Sequence, residues 1–130
     1  MPSLSYQQYK GKNILYIDFR NKKRNQTIAT IYEAAKEVRA WTEKGLILPD
    51  FRNAITTPEF LTYAKQLGLE VFALKSLKSA CIGITGTKKK LLQEYNTFCS
   101  RSVVSFETEE EAKEWLIRDE TKRFGLHPCG

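Results

Sequence analysis

Three apolar runs limit what this chain can fold into. They are "ILYIDF" (14–19), "LILPDF" (46–51) and "SACIGI" (79–84), in a chain whose charged residues make up 28%. Each is too short for an ordinary helix and reads as a strand covered on both faces. The segments between them have helical spacing. In "TIATIYEAAKEVRAWTEKG" (27–45), Ile28, Ile31, Ala35, Val38 and Trp41 or Thr42 fall at steps of three and four and form one apolar stripe. Asn25 or Thr27 is the expected cap and Gly45 the expected stop. A second helix is expected from Pro58 to about Leu77, with proline in its first turn and Thr56 or Thr57 as cap. Its core stripe would be Phe60, Leu61, Ala64, Leu67, Val71 and Leu74, with Gly68 as a kink or interruption.

The remaining segments complete the pattern. "LSYQQYKGKNILYIDF" reads as two strands about Gly11. "KKKLLQEYNTF" reads as a helix with Leu91 or Leu92, Tyr95 and Phe98 inward, and "SVVSF" as a short strand. In "TEEEAKEWLIRDE", Thr108 and Glu111 have the spacing of a capping box, and Glu109, Glu110 and Glu111 complement the helix dipole. Ala112, Trp115 and Leu116 are expected to face the core. The order is β-β-α-β-α-β-α-β-α, which implies right-handed crossovers. The fold class is therefore α/β: a mixed, mainly parallel sheet of about five strands with four helices and an opening β-hairpin. At 130 residues it reads as a single domain, with its core at about 5–118 and a tail at 119–130. The reading finds no internal repeat, low-complexity tract or linker.

Composition excludes several classes. No apolar run reaches the roughly 20 residues that a membrane span needs. "MPSLSYQQYKGKN" lacks the apolar core of a secretory signal, so a cytoplasmic location is expected. Cys81, Cys99 and Cys129 are odd in number and widely spaced, unlike a disulfide framework or zinc knuckle. Cys81 reads as a buried small hydrophobe. Cys99 lies near Arg101, which would lower its pKa if the thiol were reactive; a buried helix-end cysteine is the preferred reading. Cys129 and the single histidine, His127, lie in the tail. Neither a metal site nor a cofactor is expected. The net charge of +6 and pI near 9.3 permit acidic partners. However, basic blocks (20–25, 87–90) and an acidic one (106–115) are segregated, and no nucleic-acid motif is present, so nucleic acid is not the expected partner.

Four stretches carry a resemblance to a known family: "NILYIDF", "GLILPDFRNAITTPEF", "KSACIGITGTKKKLLQEYNTF" and "FETEEEAKEWL". Over roughly residues 5 to 118 the chain resembles STAS-like domains, most closely the bacterial SpoIIAA-like or STAS/SEC14-domain proteins. The resemblance implies a non-catalytic regulatory or protein-interaction module similar to an anti-sigma-factor antagonist, with a kinase or anti-sigma-type regulator as its protein partner. Dimers are compatible with it. Typical STAS domains carry a phosphorylated serine or threonine after the third strand. The corresponding loop here contains Asp50, Arg52, Asn53, Thr56 and Thr57. It lacks the Asp-Ser-Ser-Gly word, and one of its threonines is expected to serve as the N-cap. The SEC14-like part of the resemblance implies a lipid or other small ligand, which makes a small-anion or lipid carrier the alternative function.

In an open α/β sheet, ligands collect at the carboxyl ends of the parallel strands. Three loops should meet there: one with Arg20, Lys22, Lys23 and Arg24, one with Asp50, Arg52 and Asn53, and "TGTK". Thr85, Gly86, Thr87 and Lys88 are the candidate anion contacts. They do not form a phosphate-binding P-loop: the spacing is wrong, and Gly83 is read as lying inside the strand. Only Lys88 has the phase to lean toward the strand ends, whereas Lys89 and Lys90 fall on the solvent side. No titratable group is poised for acid–base work. Asp18 and Asp50 lie near strand ends with no evident nucleophile or metal partner, so catalysis is not expected.

Overall fold

The computed structural model describes residues 3–99 and 103–118. Strands β1 (Leu4–Tyr9) and β2 (Lys12–Asp18) form the opening hairpin, with Leu4 opposite Ile17 and Tyr9 opposite Lys12. Helix α1 (Arg24–Arg39) leads to β3 (Gly45–Asp50). A helical arm follows, made of α2 (Pro58–Leu67), a π-helical turn (Gly68–Phe72) and the short α3 (Ala73–Lys75). Strand β4 (Ser76–Ile82), α4 (Thr87–Cys99), β5 (Val103–Phe106) and α5 (Glu109–Ile117) complete the described chain. The sheet order is β1-β2-β3-β4-β5, antiparallel at β1–β2 and parallel elsewhere. This is the expected α/β class.

The strand order explains the layering. It advances one step at a time in one direction, so right-handed crossovers bring α1, the arm and α4 to the same face. Among the described residues only α5, after the last strand, covers the other. Side chains alternate accordingly. Leu15, Ile17, Phe19 and Ile47 join the core beneath α1 and the arm, and Ile14, Tyr16, Leu48 and Ile82 pack against Ala112 and Leu116 of α5.

Local signals set several boundaries. Thr57 caps α2 by accepting from the Phe60 amide at 3.1 Å, with Pro58 at the first helical position. Thr108 and Glu111 form the expected capping box. Other expectations are corrected. Helix α1 starts at Arg24, before Asn25 and Thr27, and the Gln26 side chain accepts from the Lys23 amide instead. It stops at Arg39, well before Gly45, because Trp41 folds back over the Gly45 backbone and donates its indole N–H to Tyr6 at 2.6 Å. The arm yields to β4 at Ser76, ahead of Leu77. Leu74 and Phe98, expected in the core, are 62% and 49% exposed. Gly83 follows β4 and is not within it.

Candidate functional site

The carboxyl ends of β2 and β3 carry the same four residues. Asp-Phe-Arg-Asn occurs at 18–21 and again at 50–53, a short repeat that corrects the reading of none. Asp18 and Asp50 are register partners, so the two copies lie side by side. In each, the arginine amide donates to its aspartate, Arg20 to Asp18 at 3.0 Å and Arg52 to Asp50 at 3.1 Å. In each, the guanidinium clamps the same carboxylate through Nε and Nη2. In each, the asparagine turns left-handed, at φ 60° and 58°, a conformation that asparagine tolerates better than most residues. The copies bond to one another through Phe19 N–H to the Asp50 carbonyl and Asn21 N–H to the Arg52 carbonyl. Phe19 and Phe51 point to the opposite face and stack with centroids 4.5 Å apart.

The copies differ in depth. Asp50 is fully buried and also accepts from the Tyr16 hydroxyl at 2.5 Å. Burial, followed by this bond, pushes the Tyr16 pKa well above its ordinary value. Asp18 is partly exposed, and Arg20 holds its carboxyl below the usual range. Arg52 also lies 3.5 Å from Glu109. Among the described residues, every buried polar side-chain atom has a hydrogen-bond partner. The cluster is thus internally satisfied and fixes the loop ends. Gly83 completes it: at φ 82°, a Cβ there would sit 2.3 Å from the Arg52 amide nitrogen.

On the opposite face, beneath α4, lies an apolar cavity of about 110 Å³. Phe19, Phe51 and Phe60 close one end, Leu91 and Leu92 of α4 form its roof, and Cys81 lies on its floor. Among the described residues, Lys88 is the single charged one in the lining. Its ammonium is half-buried, donates to the carbonyls of Phe51 (3.1 Å) and Gly83 (3.4 Å), and has its pKa pulled down by burial. Helix α4 packs on α2 and stands off the sheet. Of its thirteen residues only Cys99 is buried. Small β4 residues, Ser79 and Cys81, face the gap, whereas Ile17 and Phe19 of the β2 segment and Ile47 of β3 fill their side.

The structure separates the candidate residues into two groups. Lys88 turns inward and Thr56 lines the cavity, while Thr85, Gly86 and Thr87 are exposed and outside its lining. Lys89 and Lys90 face solvent. Asp50 and Arg52 belong to the twin turns on the α5 side, with Asn53 exposed. Thr57 is committed to its cap. The thiol of Cys81 is pushed up to about 12 by burial. Cys99 is also raised by burial, which removes the lowered pKa considered for it; Arg101, His127 and Cys129 lie outside the described residues. Among the described residues, no group of three His, Cys, Asp or Glu side chains is placed to hold a metal, and no helix is long and apolar enough to cross a membrane. The sequence reading missed the cavity. Its signal was the run of small residues in "KSACIG", where strands β2 and β3 carry large ones.

No family model matches the chain, and no curated protein matches it. A similar solved structure is that of an uncharacterized protein of the DUF3478 family from Shewanella loihica PV-4, with a SpoIIAA-like fold. The TM-score is 0.65 at 15% sequence identity, over 87% of this chain and 91% of that one. The fold is thus SpoIIAA-like.

Proposed function

We propose that this domain binds a small amphiphile, with its apolar part in the cavity beneath α4 and an anionic head group at Lys88. The cavity itself carries the reading: its lining is apolar except for a few hydroxyls, one thiol and one ammonium. Pockets of this kind, apolar with few polar groups to set orientation, are the usual small-molecule sites. Lys88 is partly desolvated, so an anion beside it would be attracted more strongly than at a fully exposed lysine. No catalytic step enters the proposal, since the buried Cys81 thiol is far from ionising at neutral pH.

The test is a thermal-shift titration with dodecanoate, dodecanol and inorganic phosphate. Dodecanoate should stabilise the protein. Lys88→Met, which keeps the apolar stem, should bind dodecanoate about tenfold more weakly, the effect of losing one charge-assisted contact, with dodecanol unchanged. Phosphate alone should have no effect. An equal response of wild type and variant to dodecanoate would sink the proposal.

One observation favours a second reading, the protein-interaction module that the family resemblance implies. Ile55, next to Thr56 at the cavity wall, is 52% exposed. It stands on the loop where a STAS-type partner would dock, and among the described residues it is left half-exposed.

A further inference from the structure

The cavity beneath α4 does not end at Tyr95. A second chamber of about 200 Å³ lies beyond it, and the two share Phe72, Ser79, Tyr95 and Val103 as walls. We infer that the two chambers form one path for a single unbranched chain, which passes under Tyr95 and over Ser79. This rests on the amphiphile reading above and specifies the shape of its ligand.

Three observations carry it. The first is volume. A cavity of about 150 Å³ is needed to take one benzene ring, so the first chamber, at about 110 Å³, holds only a short piece of any tail. The second is the floor. Ser79 and Cys81, two residues apart on β4, share the face beneath α4; Leu77 sits at the register irregularity after Ser76, and the second chamber is also lined by Lys78 and by Trp115 of α5. Ser79, at the shared wall, is the small residue that leaves a passage, and Leu77, in the second chamber, is 57% exposed. A chain lying there would cover it. The third is the fixed position of Tyr95. Its hydroxyl and the Cys99 sulfur sit where a Cβ on Gly68 would be, 2.6 and 2.7 Å from that point. The ring is therefore seated in a notch that glycine leaves open in the π turn, and the passage runs beneath it without requiring it to move. From Ile82, next to the Lys88 contact at Gly83, to Ser76 the path follows six residue steps of β4, about 20 Å at ~3.3 Å per residue. That length suits a long straight chain.

The experiment measures affinity for octanoate, dodecanoate and hexadecanoate by displacement of a fluorescent fatty acid, on wild type, Ser79→Phe and Val103→Phe. Each variant is first checked for folding by circular dichroism. Each buried methylene should tighten binding about fourfold, so wild type should gain on the order of a hundredfold or more from octanoate to dodecanoate. A plug at the passage should remove most of that gain and weaken octanoate less than dodecanoate, because less of the octanoate tail lies beyond the first chamber. Two plugs from different strands guard against one failing to fold. Three results would overturn the inference: no gain beyond octanoate in wild type, an undiminished gain in both folded plugs, or an equal fold-loss of octanoate and dodecanoate in the folded plugs. Wild type that binds none of the three acids overturns the amphiphile reading too. Wild type that binds octanoate with no length dependence overturns the two-chamber path alone.

Discussion

The twin Asp-Phe-Arg-Asn turns make a controlled experiment on burial. Asp18 and Asp50 accept the same backbone amide and the same guanidinium fork. They differ in exposure, 24% against 0% for the side chains, in the Tyr16 bond, which Asp50 alone receives, and in a second arginine, since Arg20 also lies 3.8 Å from Asp50. Replacing Asp18 by Ala removes a partly exposed ion pair and a turn contact, worth about 1 kcal/mol or less. Replacing Asp50 by Ala removes ion pairs to Arg52 and Arg20, whose side chains are 46% and 45% exposed. Water can recover much of that charge, so this part is again about 1 kcal/mol. It also strips the acceptor from the buried Tyr16 hydroxyl, which costs about 1–3 kcal/mol more. Asp50→Ala should therefore cost about 3 kcal/mol and Asp18→Ala about 1. In urea, at a slope of ~2 kcal/mol per M, the two midpoints should lie about 1 M apart. A stability of roughly 5–15 kcal/mol leaves both variants folded. Midpoints that agree within ~0.25 M would refute the reasoning, because they would show that neither burial nor Tyr16 distinguishes the two turns.

Tyr16 provides a pH test of the same cluster. Its folded pKa lies above its unfolded value of about 10, so the stability that it contributes is complete below that pH and is lost as pH rises above it. The stability difference between wild type and Tyr16→Phe should narrow between pH 8 and pH 11, and a constant difference would contradict the Tyr16–Asp50 bond. For the protein-interaction reading, Ile55→Asp should lose a protein that copurifies with wild type and with Lys88→Met; a variant that retains every such protein would end that reading.

Much of the fold was legible because its signals are local. The apolar runs marked β2 and β3, the Thr57–Pro58 pair marked the start of α2, and Thr108 with Glu111 marked the start of α5. The failures occurred where tertiary contacts override a local pattern. Leu74 fits an unbroken helical stripe, but the π turn at Gly68–Phe72 inserts an extra residue into the period. The stripe rotates after Leu67, and Leu74 emerges into solvent. Strand β4 begins earlier than the apolar run because β5 pairs with it only from Ser79 onward. Residues 76–78 therefore have one neighbouring strand and can be polar. Lys88 was legible by helical phase alone. The cavity beside it was not, since a void is a property of side chains from many elements together.

The origin of that void follows from topology and residue size. The progressive strand order assigns α4 to cover the β4–β5 end of the sheet, and the inward side chains there, Ser79 and Cys81, are too small to meet it. Held by its contacts with α2, the helix cannot descend, since the Tyr95 hydroxyl and the Cys99 sulfur already press on Gly68. Were it sealed, a space of about 110 Å³ would cost up to about 2–3 kcal/mol at ~24 cal/mol per Å³, and less where it opens to solvent. That is a substantial fraction of a domain's net stability, and larger residues on β4 would recover it. An apolar chain filling the space would recover the same energy on binding. The amphiphile reading therefore predicts that the stabilisation by long-chain acids reflects the filled volume as well as the charge at Lys88, and that dodecanol should supply the first part without the second.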